Sequence, residues 1–132
     1  MPMRRKKTSA ASDEAAVKGL PVLRPNVAGM DLASEIHWVC APNLDGTERE
    51  VEKFGATTPE LERMAEWLKA RKVESVAMES TGVYWIAPYE VLERYELEIL
   101  LVNTRELARV PGRKKSDHVD CKWIQQLHSC GL

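Results

Sequence analysis

Four acidic residues in this chain have the setting of metal ligands. Asp31 and Glu79 each follow a short apolar run, and Asp117 and Asp120 stand three residues apart further along. That spacing puts both late acids on one face of a helix. Carboxylate oxygens are ligands that Mg²⁺ prefers, and several acids together hold the ions of a phosphoryl-transfer site. These residue types therefore predict a divalent-metal site that acts on phosphates.

The same four acids also fit purely structural roles. Asp31 could end a strand and begin a turn, and Glu79 could cap the helix that follows it. Asp117 and Asp120 resemble a capping arrangement, in which one acid caps the helix and the other reaches back. The ligand hypothesis therefore depends on whether the surrounding strands and helices bring the acids together.

Basic side chains form two clusters. One opens the chain (Arg4, Arg5, Lys6 and Lys7), and the other precedes Asp117 (Arg109, Arg113, Lys114 and Lys115). The second cluster is predicted to bind nucleic acid, because positive charge beside a metal site steers a phosphate backbone towards it. An ordinary solvated loop remains the alternative for that cluster.

Cysteine, histidine and tryptophan offer weaker signals. His118, Cys121, His128 and Cys130 match no usual zinc-ligand spacing, so Cys121 is predicted to pack in the core. Most of the four tryptophans are likewise predicted to pack in the core and not to stack on bases.

Composition limits the classes of protein. Hydrophobic residues make up 44% of the 132 residues, which is enough for one domain with a core. The net charge of −1 announces no nucleic-acid partner by itself. Three cysteines without a framework spacing argue against a secreted disulfide protein, and no run approaches the roughly 20 apolar residues of a membrane span. We expect a cytoplasmic bacterial protein with no membrane partner.

The elements that must position the acids can be predicted from hydrophobic pattern and turn residues. Residues 1–25 are expected to form a flexible basic arm, and residues 26–132 the folded domain. The predicted strands are Val27–Leu32, Glu35–Ala41, Arg49–Phe54, Ser75–Met78 and Leu97–Val102, the last of them buried on both faces. Three helices are predicted. The first begins with Thr58 as its cap and Pro59 at its first position, the second spans Tyr84–Tyr95, and the third spans Asp117–Ser129.

The order of these elements predicts how the sheet is assembled. Three strands joined by hairpins, followed by alternating helices and strands, indicate an α/β fold with a mixed five-stranded sheet flanked by helices. Crossing back past the hairpins can place the fourth strand beside the first. Asp31 and Glu79 would then be neighbours near the carboxyl edge of the sheet.

Three segments together resemble a known family. They are Gly29–Ala33 with His37 shortly after, Glu79–Tyr84 (Glu-Ser-Thr-Gly-Val-Tyr), and Lys115–Asp120 (Lys-Ser-Asp-His-Val-Asp). In combination they resemble the DEDD transposases of bacterial insertion sequences, which are related to the Piv-type DNA invertases. The resemblance covers residues 27 to about 130.

The resemblance implies a RuvC-like domain of the ribonuclease H fold. It implies that Asp31, Glu79, Asp117 and Asp120 are the catalytic acids and bind Mg²⁺ or Mn²⁺ for DNA strand cleavage and transfer. It further implies DNA as partner, an association with a structured guide RNA, and a homo-oligomer in the full-length protein. Members also carry a C-terminal domain with a nucleophilic serine, which is absent from these 132 residues, so we expect a transposase domain that is incomplete on its own.

Two other functions remain open at the level of sequence. One is a nucleic-acid-binding module without metal, in which the acids are caps and the basic loop docks the ligand. The other is a fragment of a ribonuclease H-like ATPase or sugar kinase. Such enzymes need glycine-rich phosphate loops, and Asp31–Glu35 contains no glycine.

Overall fold

The computed structural model describes residues 22–80, 82–102 and 117–131, with the backbone alone described at 117–120. The strands are β1 (Val27–Leu32), β2 (Ile36–Pro42), β3 (Arg49–Gly55), β4 (Ser75–Ser80) and β5 (Glu98–Leu101). The helices are α1 (Thr58–Ala70), α2 (Ile86–Arg94) and α3 (Asp117–Ser129). Residues 1–21, most of the predicted arm, lie outside the described part of the chain.

The five strands form one mixed sheet in the order β3-β2-β1-β4-β5. The pairs β1–β2 and β2–β3 are antiparallel, whereas β1–β4 and β4–β5 are parallel. The α/β class and the five-stranded mixed sheet are therefore as the sequence predicted. The crossover through α1 brings β4 against β1, which the element order allowed.

Helices cover both faces of the sheet. Buried side chains from α1 and α2 pack on one face in the larger core cluster, which includes Met30, Leu61, Met64, Leu68 and Leu92. On the other face, α3 forms a smaller cluster in which Trp123, Ile124 and Leu127 surround Ala77. Among the described residues, no helix is long and apolar enough to cross a membrane.

The cap of α1 differs from the prediction by one residue. The Thr57 side chain, not that of Thr58, accepts the hydrogen bond from the backbone N–H of Glu60, at 3.4 Å. Either threonine could supply a capping oxygen, and the sequence alone does not choose between adjacent candidates. Pro59 still lies in the first turn, where its missing N–H costs no hydrogen bond.

The predicted burial of β5 on both faces is wrong. Leu100 and Leu101 are 43% and 50% exposed, although Leu97 and Ile99 belong to or pack against the larger core cluster and Val102 packs against the smaller one. The physical reason is the position of β5 as the outermost strand of the sheet, where β4 is its only strand neighbour among the described residues. An apolar run predicts a buried strand, but it does not tell whether the strand is central or at an edge.

Two buried histidines predict how stability depends on pH. Burial lowers the pKa of both His37 and His128 below 6.5, and in the case of His128 the nearby Arg24 charge adds to the effect. The unfolded chain then binds protons at a higher pH than the folded chain does. Stability should be full above about pH 6.5 and should fall as the pH drops below that value.

Urea unfolding at about pH 7.5 and 5.5 checks this pH dependence. His128 Nε2 lies 2.8 Å from Ser75 Oγ, so the variant His128→Gln keeps a polar partner for Ser75 but cannot titrate. We expect a smaller loss of stability at low pH in that variant. Equal stability of the unchanged protein at both pH values would contradict the prediction.

Candidate active site

Asp31 and Glu79 are direct partners on adjacent parallel strands. The register of β1 and β4 pairs Asp31 with Glu79, just as it pairs Gly29 with Ala77. Paired residues point to the same side of a sheet, and neighbouring strands lie roughly 4.8 Å apart. The two carboxylates therefore stand side by side near the carboxyl ends of both strands. Glu79 is 7% exposed and Asp31 is half-buried.

Gly29 determines how close α3 comes to this face of the sheet. A Cβ atom at Gly29 would lie 2.6 Å from the carbonyl oxygen of Cys121 and would also overlap the backbone nitrogen of Gln125. The helix backbone thus rests directly on β1, which only a residue without a side chain allows. Asp31 lies two residues beyond Gly29 and faces the same helix.

Helix α3 runs opposite in direction to β1 and β4. His128 is hydrogen-bonded to Ser75 at the start of β4, and Gln125 Nε2 donates to the carbonyl oxygen of Val27 at the start of β1, at 3.1 Å. Towards its N-terminus the helix passes over Gly29 through Cys121. The first turn of α3 is therefore directed towards the carboxyl ends of the two strands.

The first turn of α3 reaches the level of Asp31. Asp117 lies four residues before Cys121, about 6 Å along a helix, and Asp31 lies two residues after Gly29, about 6.6 Å along a strand. The backbone that carries Asp117 and Asp120 thus begins close to the paired acids. The side chains of these two residues lie outside the described part of the chain.

The electrostatics of Cys121 agree with this arrangement. Burial raises the pKa of the Cys121 thiol, and the nearby Cys40 and the Asp31 carboxylate raise it further. Burial also raises the pKa of Cys40 to about 11. Both thiols therefore stay protonated at neutral pH, and the Asp31 charge lies within reach of the N-terminal half of α3.

The positions of Asp31 and Glu79 in their strands bear on the structural alternatives that the sequence allowed. Asp31 lies inside β1, since Leu32 continues the pairing with β4. Glu79 lies inside β4, and α2 begins only at Ile86, where Trp85 is the N-cap residue and makes no capping hydrogen bond through its side chain. The helix-cap interpretation of Glu79 is therefore wrong, whereas Asp31, the last residue but one of β1, lies close to the strand end that its alternative required.

The other predicted ligands fall in different places. The basic cluster of Arg109, Arg113, Lys114 and Lys115 lies outside the described residues, as does the His118 side chain. Cys121 and His128 are buried against the sheet, as predicted for Cys121. Among the side chains that the structure describes, no three His, Cys, Asp or Glu residues form a metal-binding group.

Two further side chains share the row of the paired acids. The register of β1 with β2 pairs Asp31 with Trp38, and that of β2 with β3 pairs Trp38 with Lys53. The four side chains Glu79, Asp31, Trp38 and Lys53 thus cross four adjacent strands on the α3 face. We call them the cross-strand row. Most tryptophans were predicted to pack in the core, but Trp38 is only half-buried. Lys53 is exposed.

The sequence held a signal for this row. Asp45-Gly46 marks the β2–β3 turn, in which Gly46 has a φ of 77° and Asn43 N–H donates to the Glu48 carbonyl oxygen. A hairpin anchored at that turn fixes the partner of Trp38. The register of β2 with β1 could not be predicted in the same way, because the connection between these strands, Ala33–Glu35, contains no Asp-Gly turn.

The donor set fits a hard divalent cation. Two carboxylates on neighbouring strands supply only oxygen ligands, and Mg²⁺ is commonly held by one or two carboxylates together with water and phosphate oxygens. Like charges directly opposite each other on neighbouring strands are destabilising, and a shared cation offsets that repulsion. Asp31 and Glu79 are thus suited to share an ion, and the backbone at the start of α3 brings two more acids to the same edge.

The comparisons with known proteins agree with these features. A model of the IS110 family of DEDD transposases, described as Transposase, matches residues 28–129. A search of curated proteins found no match. The matched region begins in β1 and ends with α3, so it includes all five strands and all four predicted acids. The chain carries a transposase domain whose mixed five-stranded sheet is consistent with a RuvC-like fold, and it belongs to the IS110 family of DEDD transposases.

Proposed function

We propose that this domain performs metal-dependent cleavage and transfer of DNA strands, with Asp31, Glu79, Asp117 and Asp120 as the ligands of Mg²⁺ or Mn²⁺. The observation that carries the proposal is the pairing of Asp31 with Glu79 on adjacent parallel strands. Helix α3 supports it, because its first turn begins at the same edge of the sheet. Membership of a transposase family supports DNA as the substrate.

The four carboxylates would act by holding the divalent ion in a fixed position. A divalent ion in this site supplies Lewis-acid stabilisation of phosphoryl oxygens. Asp31 and Glu79 are fixed by strand pairing, so they need no rearrangement to present their oxygens together. The contact of α3 with Gly29 fixes the distance of the helix that bears Asp117 and Asp120. Rigid elements of this kind hold ligands more accurately than loops do.

The remaining contacts are predictions on the same basis. Arg109, Arg113, Lys114 and Lys115 precede α3 in sequence, and we propose that they bind the phosphate backbone near the acids. A structured guide RNA and a homo-oligomer of the full-length protein remain predictions from the family resemblance.

Thermal unfolding with Mn²⁺ tests the ligand assignment without requiring catalysis. A ligand present at 100 times its dissociation constant, and binding only the folded state, stabilises that state by about 2.7 kcal/mol, or roughly 10 °C for a domain of this size. We expect that shift in the unchanged chain. It should disappear in the double variant Asp31→Asn with Glu79→Gln.

A second double variant controls for lost negative charge. Glu90 and Glu93 are exposed residues of α2, on the opposite face of the sheet. Replacing both by glutamine removes the same charge and should leave the Mn²⁺ shift intact. A Mn²⁺ shift that persists in the Asp31→Asn, Glu79→Gln variant would falsify the assignment of these two ligands.

A further inference from the structure

We infer that Trp38 and Lys53 form a binding subsite for a single DNA strand, next to the proposed metal ligands. In this subsite the Trp38 indole stacks on an unpaired base and the Lys53 ammonium contacts a phosphate of the same strand. The inference rests on the proposed function, because the paired acids are taken to hold the phosphate that reacts. It adds a base contact and a phosphate contact that the four acids do not provide.

The first argument is the order of chemical types along the cross-strand row. Glu79 and Asp31 occupy two adjacent strands, Trp38 the next and Lys53 the outermost. Two carboxylates are thus followed by an aromatic ring and then by a cation. A nucleic-acid strand alternates phosphates with flat bases, and its binding sites combine cationic groups with stacking aromatic rings.

The second argument is distance. Strands lie roughly 4.8 Å apart, so Trp38 stands one strand from Asp31, and Lys53 stands two strands, or roughly 10 Å, away. A strand whose phosphate is held at the acids would therefore pass its neighbouring base and phosphate over these two side chains. Antiparallel pairing on a sheet fixes both distances, so the spacing does not depend on a loop.

The third argument is the state of the two side chains. Lys53 Nζ lies over the Trp38 ring, 5.7 Å from its centroid, which is within the range of a cation–π contact. Trp38 is only half-buried and Lys53 is exposed, although both stand on the face that α3 covers over β1. Lys53 thus lies against the ring at the outermost strand, on the side of Trp38 away from the acids.

The fourth argument is the contrast with the opposite face. Trp67, in α1, packs edge-on against Phe54 at 5.5 Å, and the Arg71 guanidinium lies 3.9 Å from its ring centroid. Arg71 is in turn bound to Glu50 at 2.7 Å, so its charge is neutralised within the protein. That aromatic–cation pair serves packing, and it lies on the face of the sheet opposite the paired acids.

The test uses fluorescence anisotropy of the full 132-residue chain with a labelled single-stranded oligo-dT, in EDTA and in Ca²⁺. Trp38→Ala should weaken binding roughly 5- to 150-fold, the range expected for loss of one stacked base. Trp38→Phe should keep most of the affinity because it keeps an aromatic ring. Both variants are compared with Trp67→Ala, which removes a half-buried tryptophan from the other face and should leave DNA affinity unchanged.

Salt dependence gives a second readout, which does not rely on Trp38 variants folding. Lys53→Ala should reduce the slope of log affinity against log salt concentration by about 0.7, the value of one phosphate contact on a single strand. Lys69→Ala removes an exposed lysine of α1 and should leave the slope unchanged. Equal slopes for these two lysine variants would overturn the inference.

The outcomes separate this inference from the proposed function. If Ca²⁺ strengthens binding and Asp31→Asn removes that effect, but Trp38→Ala and Lys53→Ala bind like the unchanged chain, the subsite is wrong and the metal site stands. If both variants lose affinity in EDTA and Ca²⁺ has no effect, the subsite stands and the metal site fails. Binding of oligo-U without binding of oligo-dT would overturn the assignment to DNA.

Discussion

Replacing Gly29 by alanine is expected to destabilise the domain by about 3 kcal/mol or more. The new Cβ would lie 2.6 Å from the Cys121 carbonyl oxygen and 2.8 Å from the Cα of Gln125, and it would overlap the Gln125 nitrogen. These are backbone atoms of α3, so no side-chain rotation can relieve the overlap. The helix must move off the sheet and expose Trp123 and Ile124, which are buried beneath it. Urea unfolding of the variant measures the loss.

Gly55→Ala is the matched control for Gly29→Ala. Gly55 is also a strand residue, but the atoms nearest to a Cβ there belong to the Glu60 side chain, at 3.2 Å or more, and not to backbone. We expect a change within about 1 kcal/mol for that variant, since a side chain can move and alanine restricts the unfolded chain. Comparable losses in both variants would mean that strand propensity, not the contact with α3, sets the cost at Gly29.

Asp31→Asn is expected to change metal binding and metal-free stability in opposite directions. Mn²⁺ affinity should fall on the order of 100-fold, because loss of even an outer-shell partner costs 10- to 100-fold. Without metal, the variant should be more stable by on the order of 1 kcal/mol, because one of two paired carboxylates loses its charge. Calorimetric titration with Mn²⁺ and urea unfolding in EDTA measure the two effects.

The opposite signs distinguish a ligand from a structural acid. A carboxylate that only stabilised the fold would lower the free energy of unfolding when neutralised, with or without metal. Glu90→Gln, at an exposed position of α2, should alter neither Mn²⁺ affinity nor metal-free stability beyond about 0.5 kcal/mol. A decrease in stability of Asp31→Asn in EDTA would contradict repulsion between the paired acids.

The parts of the fold that follow from local chemistry could be predicted from sequence. The β1 bounds and the α3 bounds agree with the structure, because an apolar run after Pro25 marks the strand and Gly131, with a φ of 84°, ends the helix. Asp117 and Asp120 could be identified by their spacing of three residues, and Asp31 and Glu79 by the apolar runs that precede them. Their pairing followed from the order of strands and crossovers.

Two other features could not be predicted from the local pattern of hydrophobic residues: the exposure of β5 and the end of α2. The exposure of Leu100 follows from the place of β5 at the edge of the sheet, and the apolar run alone predicted burial. Ending α2 before Tyr95 was not foreseen either. There Glu96 adopts a φ of 64°, a backbone conformation that a non-glycine residue rarely takes. The exposure of Leu100 thus depends on the order of strands in the sheet, whereas the end of α2 is set by local hydrogen bonds, such as that from Leu97 N–H to the Leu92 carbonyl oxygen.

The sequence by itself determined the chemical types: four carboxylates, a strand order that lets β1 meet β4, and the family to which the chain belongs. Only the tertiary structure decided which side chains share a row, because register between strands sets that, and a one-residue slip would turn every side chain to the other face. Thus Asp31 lies between Glu79 and Trp38 in the sheet, and Gly29 allows the backbone of α3 to pack against β1 next to these residues. The close approach of α3 depends on the absence of a Cβ at Gly29, and that absence matters only because the helix backbone packs against this position.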